Sequence, residues 1–128
     1  MLQELRSLFA ELAQNQAVQP PQTIALLPDD KGDFITYLGG QAGAGVFGAK
    51  LSPYLATDTA PIITAWTILM SMETGQPLLL CDSGILTTER TVATTALAVD
   101  LLADDGANKL SIIGSSAIAK AHWRHVKE

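Results

Sequence analysis

The sequence predicts an α/β fold, and three observations predict it. An amphipathic stretch opens the chain, two strand–turn–strand patterns follow, and the composition then shifts to a helical segment and a short strand–helix pair. At 128 residues the chain has the size of one domain, or of one domain plus a fragment. Apolar residues make up 48% and charged residues 16%, which excludes disorder and allows a core. The formal net charge of -5 argues against a nucleic-acid or anionic-membrane surface, which needs a basic face. No apolar run is long enough to span a bilayer, so a cytoplasmic chain is expected.

Leu2, Leu5, Leu8, Phe9 and Leu12 recur at helical spacing with Glu4, Arg6 and Glu11 between them, which predicts an amphipathic helix. It must end before Pro20 and Pro21. Residues 23–27 form a short apolar run closed by Pro28, Asp29-Asp30-Lys31-Gly32 is turn chemistry, and residues 34–38 read as the returning strand. Five glycines fall within residues 39–48, and residues 46–51 are expected to form a strand ending at Pro53. Residues 62–72 are β-branched and apolar. With the turn Glu73-Thr74-Gly75-Gln76 and residues 77–81 they predict a second hairpin. Residues 87–103 carry Val92, Leu97, Ala98, Leu101 and Leu102 at helical spacing, with Thr87 or Thr88 as the expected cap. Asp104-Asp105-Gly106-Ala107-Asn108 stops that helix. Residues 110–113 read as a buried strand and residues 117–126 as a helix, the opening of a βαβ unit.

Two glycine motifs compete for a nucleotide. Gly43-Ala-Gly45-Val-Phe-Gly48 matches G-x-G-x-x-G by letter, but Pro53 follows and no amphipathic helix does, so a turn needing positive φ is the better reading. Lys50 also comes too late for a P-loop. Gly114-Ser115-Ser116-Ala117-Ile118-Ala119 has the required context, after an expected strand and at the start of a helix. Ser116 stands where the second glycine normally lets a pyrophosphate approach. Its hydroxyl either crowds the phosphates or donates to them.

Single residues leave alternatives open. Lys50, between Ala49 and Leu51, is either a snorkelling lysine or an anchor for a carboxylate. Arg90, expected in the first turn of its helix, suits a carboxylate or phosphate ligand beside free amides, or else pairs with Glu89. His122 and His125 share a helix face but lack a third ligand nearby, which predicts a solvated face and no metal site. Cys81 has no histidine partner in sequence and reads as a buried structural thiol. Glu73 and Asp82 flank one hairpin without forming an acid/base couple.

Lys50-Leu51-Ser52-Pro53, Glu73-Thr74-Gly75-Gln76-Pro77, Asp82-Ser83-Gly84 and Leu86-Thr87-Thr88-Glu89-Arg90-Thr91 resemble the ornithine cyclodeaminase/mu-crystallin family in order and spacing. Ile112-Ile113-Gly114 and Ala119-Lys120-Ala121-His122 extend the resemblance into that family's nucleotide fingerprint. The resemblance implies a substrate and dimerisation domain with a mixed sheet over residues 1–108. Residues 109–128 would be the start of a truncated Rossmann domain for NAD or NADP. It further implies a homodimer whose sheets share a barrel and a small amino acid as substrate. Lys50 and Arg90 match its substrate-carboxylate ligands, Thr91 a residue beside the cofactor, and Gly114, Ser116, Ala117 and Ile118 the pyrophosphate loop. Three positions depart from the family pattern: Gln22 where an arginine is usual, Ser116 for glycine and Ile118 for glutamine. The family's catalytic acid falls in a part that these 128 residues do not include, so no catalytic residue is assigned.

Two functions are therefore expected. One is an amino-acid dehydrogenase or cyclodeaminase part that keeps the carboxylate pocket without complete turnover. The other is a non-enzymatic dimerising or ligand-binding module, motivated by the apolar run at residues 62–72.

Overall fold

The computed structural model describes residues 1–126, so the last two residues of the expected 109–128 segment lie outside the described residues. Two compact units emerge among the described residues: residues 8–84, built on a sheet, and residues 1–7 with 85–126, built on helices. The α/β class is as expected.

The opening helix, α1 (Leu2–Ala13), forms where the apolar spacing predicts it. Its residues 8–13 belong with the sheet, and Gln41 Nε2 donates to Glu11 Oε2 at 2.8 Å there. The strands are β1 (Ala17–Val18), β2 (Thr23–Leu26), β3 (Gly32–Gln41), β4 (Val46–Leu55), β5 (Ile62–Ile63), β6 (Trp66–Ser71) and β7 (Pro77–Asp82). Their order is β1-β3-β4-β6-β7, with β2 also on β3 and β5 on β4. Every pairing among them is antiparallel, which corrects the expected mixed sheet. Short turns join consecutive strands here, and only a long crossover can bring two strands parallel.

Both predicted hairpins form. Between β2 and β3 a 3₁₀ turn (Pro28–Asp30) holds Asp29 and Asp30 at φ 58° and 53°, a region that aspartate tolerates better than most residues. Between β6 and β7, Ser71 Oγ accepts the amides of Glu73 and Thr74, both at 3.1 Å, and Gly75 takes φ 66°. The strand expected over residues 62–72 is two strands, because β5 pairs with the far end of β4 and the chain steps at Thr64 and Ala65 before β6.

The glycine-rich segment 39–48 is mostly strand. β3 runs through Gly39 and Gly40, and β4 continues through Pro53 to Leu55 instead of ending at the proline. Gly48 is required by close approach: a Cβ there would lie 2.2 Å from the Ile68 carbonyl oxygen of β6. The apparent fingerprint at residues 43–48 is thus a turn, with Gly45 at φ 65°, followed by a strand.

In the helical unit, α2 (Gly84–Leu102) begins three residues before the expected Thr87. Asp82 Oδ1 accepts the Gly84 amide at 2.8 Å, so the Asp82-Ser83-Gly84 turn starts the helix and Thr87 and Thr88 lie inside it. Leu5, Ala93 and Leu97 form the buried cluster of this unit, and Arg6 pairs with Asp100. The helix α3 (Ala117–Val126) has the predicted bounds. The strand expected at residues 110–113 is absent, and Ile113 is fully exposed. A strand exists only by pairing, and no described strand runs beside this segment. No described helix is long and apolar enough to cross a membrane.

Candidate functional site

In the sheet, residues directly opposite on neighbouring strands project to one face. Tyr37 on β3, Lys50 on β4, Thr67 on β6 and Cys81 on β7 stand opposite one another in sequence, so they form one row. Lys50 is half-buried, and its Nζ lies 4.5 Å from the Tyr37 ring centroid. Thr67 Oγ1 donates to Ser83 Oγ at 2.8 Å, and Ser83, only 1% exposed, donates its amide to the Ala65 carbonyl at 2.7 Å. That pair locks the end of the row. The next row on the same face is Gly39, Gly48 and Leu69, and the row on the other side holds Ile35 and Ser52. Gly39, Gly48 and Ser52 are thus the small residues beside Lys50, with Leu69 and Ile35 in the same two rows.

The opposite face is apolar. Leu38, Phe47, Leu51, Trp66 and Leu80 all point there by register, and all are exposed. Cys81 is half-exposed on β7, which corrects the expectation of a buried thiol.

Arg90 lies in the second turn of α2, not the first, because the helix starts earlier than its threonines suggested. Its amide is inside the helical ladder, so free amides do not surround it as expected. It is exposed, and its expected alternative partner Glu89 is engaged elsewhere: His125 Nε2 is 2.8 Å from Glu89 Oε2, and Arg124 is 3.8 Å from Oε1. Thr91 Oγ1 donates to the Thr87 carbonyl at 2.6 Å.

His122 also turns inward. Its Nδ1 lies 2.9 Å from the Ile118 carbonyl, which can only accept, and its Nε2 lies 2.9 Å from Thr95 Oγ1. The histidine face is therefore packed toward α2 and not solvated as expected. Both histidines have partners on a helix that sequence spacing within α3 alone could not reveal. Among the described residues no group of three or more His, Cys, Asp or Glu could hold a metal.

The loop before α3 opens the helix without the strand that a dinucleotide fingerprint has in front of it. Gly114 takes φ 117°, and no atom lies within 4 Å of where a Cβ would be. Ser116 Oγ accepts the Ala119 amide at 3.3 Å, so its hydroxyl caps the helix. The amides of Ala117 and Ile118 are the first of α3 and have no intrahelical acceptor. This donor set fits a pyrophosphate. A groove of about 510 Å³ runs alongside, lined by Ile112, Gly114, Ser115, Ala119, Lys120, Trp123 and Arg124. Lys120, Trp123 and Arg124 were not singled out from sequence; their i, i+3, i+4 spacing on one side of α3 was the available signal. Lys50 stands in the sheet unit, and Arg90, Thr91, Gly114, Ser116, Ala117 and Ile118 stand in the helical one.

The model of the "Ornithine cyclodeaminase/mu-crystallin family" matches residues 1–128. The NAD(P)H-dependent anabolic L-arginine dehydrogenase DauB of Pseudomonas aeruginosa is 54% identical over 127 residues, 99% of this chain and 40% of that protein. An archaeal alanine dehydrogenase dimer with bound NAD superposes with a TM-score of 0.86 at 26% identity, over 98% of this chain and 39% of that one. The Δ(1)-pyrroline-2-carboxylate reductase of Thermococcus litoralis, solved with NADH and L-proline, shares the fold at a TM-score of 0.87 and 23% identity, over 98% and 40% of the two chains. The chain thus spans about two-fifths of the length of the dehydrogenase it matches along nearly all its residues.

Proposed function

The chain belongs to the ornithine cyclodeaminase/mu-crystallin family, and we propose that it forms the amino-acid-binding part of an NAD(P)-dependent amino-acid dehydrogenase or cyclodeaminase. In this reading residues 1–108 bind substrate and dimerise, residues 109–128 open the nucleotide-binding domain, and the protein is cytoplasmic. The observation that carries it is Lys50: a half-buried lysine on the sheet, its ammonium 4.5 Å from the Tyr37 ring centroid and next to the Gly39–Gly48 pair. Lys50 is the proposed carboxylate ligand of the sheet unit and Arg90 that of the helical unit, each acting through charge-assisted hydrogen bonds. Relatedness to a protein named as an L-arginine dehydrogenase favours a basic amino acid as substrate.

Gly114, Ser116, Ala117 and Ile118 would hold the pyrophosphate of NAD or NADP, with Thr91 beside the cofactor. A nicotinamide held there would supply hydride chemistry toward the substrate's Cα. Gly114 lets the backbone approach, and the first amides of α3 donate to the phosphate oxygens. Titration of the chain with NADH and NADPH in a calorimeter tests this loop, and saturable binding at one site per chain is expected. L-Arginine should shift the Lys50 side-chain resonances in NMR, and Lys50→Met should weaken that binding at least about tenfold. Unchanged L-arginine binding in Lys50→Met sinks the assignment of Lys50.

A second reading, a dimerising module without turnover, is favoured by a separate observation. The apolar face bearing Leu38, Phe47, Leu51, Trp66 and Leu80 is exposed, and such a face favours association with another copy. Light scattering that finds only monomer over a wide concentration range would remove homodimerisation from both readings.

A further inference from the structure

A lysine on a sheet surface carries four rotatable bonds and, left alone, extends its ammonium to water. Lys50 does not: its Nζ sits over the Tyr37 ring, 4.5 Å from the centroid, within the distance at which a cation is drawn to the π face. The two residues are directly opposite in the β3–β4 pairing, so the contact is built into the register and does not depend on a mobile loop. The pairing also fixes what lies next to it. Gly39, two residues beyond Tyr37, faces Gly48, two residues before Lys50, so the neighbouring row has no side chain on either strand. The ammonium is held beside that glycine pair.

We infer that Tyr37 is the positioning residue of the carboxylate site, its ring holding the Lys50 ammonium in place on the sheet face. The inference rests on the reading that Lys50 binds a carboxylate. An aromatic partner suits this task for a physical reason. A carboxylate at residue 37 would also hold the ammonium, but it would place a negative charge where the substrate's own carboxylate must come. The ring attracts the cation through its quadrupole and adds no net charge. The ring also confines a flexible stem before the ligand arrives, which lowers the ordering cost at binding.

The test uses the chain labelled with ¹³C-lysine, with L-arginine and acetate as probes. In the wild type the Lys50 Cε protons should be shifted upfield by the ring and should move on titration with either probe. Tyr37→Phe keeps the π face and should keep both the shift and the affinity within about twofold. Tyr37→Leu should lose the shift and bind roughly threefold to tenfold more weakly. If Tyr37→Leu unfolds the sheet, fluorinated phenylalanines at position 37 keep the shape and drain the π face. Affinity should then fall with each added fluorine.

Tight binding by Tyr37→Leu, or affinity flat across the fluorinated series, overturns the positioning role while Lys50→Met still reports on Lys50. A wild-type Lys50 resonance that neither carboxylate moves overturns the carboxylate reading and the inference with it. The ring-current shift would in that case remain as the mark of a structural stack.

Discussion

The sheet unit and the helical unit handle their apolar side chains in opposite ways. In residues 8–84, β3 and β4 pair ten residues with ten in continuous register, yet only Ala65 and Ser83 are fully buried among the described residues. In the helical unit Leu5, Val92, Ala93, Ala96, Leu97 and Ala121 are all buried. Strand pairing satisfies backbone donors and acceptors within the sheet itself, but a sheet face is covered only by a second layer. Leu38, Phe47, Leu51, Trp66 and Leu80 present such a face, and they are exposed. What the helical unit secures by burial, the sheet unit secures by register, and its apolar face remains available for association.

The largest effect should come from the buried side. Leu97→Ala empties part of the Leu5–Ala93–Leu97 cluster and should cost about 2–5 kcal/mol in urea denaturation. Leu80→Ser on the exposed face should change the stability of the monomer by less than about 0.5 kcal/mol. The same change should lower the apparent mass in light scattering at high concentration. Similar stability losses in the two variants would break the contrast between burial and register.

The second test compares two glycines within the sheet unit. Gly48→Ala places a Cβ 2.2 Å from the Ile68 carbonyl oxygen, which can move only by parting β4 from β6, and about 1–3 kcal/mol should be lost. Gly43→Ala meets no atom within 4 Å and should stay within about 0.5 kcal/mol of wild type. Thermal melts monitored by circular dichroism decide the matter, and an equal loss at both sites would mean that close strand approach is not what Gly48 provides.

These two glycines also mark how far the sequence could be read. The hairpins at residues 23–38 and 62–81 were legible because their turns are local: Asp29-Asp30-Lys31-Gly32 and Glu73-Thr74-Gly75-Gln76 name themselves. Gly48 was not, since its constraint comes from a carbonyl twenty residues later in the chain, and the sequence offered only a turn glycine that needs positive φ. The start of α2 was misplaced because Thr87 and Thr88 imitate a cap that Asp82 supplies. The strand at residues 110–113 was expected from its apolar letters, which say nothing about a pairing partner. Of the candidate site, Lys50 stood out only through the family resemblance, and Gly114 through its place before a helix. Tyr37 was hidden, because only the β3–β4 register brings it to Lys50.

The smallest effect concerns how α3 is tied to α2 inside the helical unit. His125 and Glu89 are each about 30% exposed, with 31% and 30% respectively, and their contact is 2.8 Å. A double-mutant cycle of Glu89→Gln and His125→Gln should give a coupling of about 0.5–1 kcal/mol, reduced at high salt if the ring is charged. The same cycle with Arg124→Gln should give a coupling near zero, because that guanidinium is 67% exposed and 3.8 Å from the carboxylate. A larger coupling through Arg124 than through His125 would reverse the order of the two contacts. It would also move the tie between the helices from a hydrogen bond packed between them to an ion pair at their edge. The helical unit would then resemble the sheet, held at that point by surface polar contacts and not by what it buries.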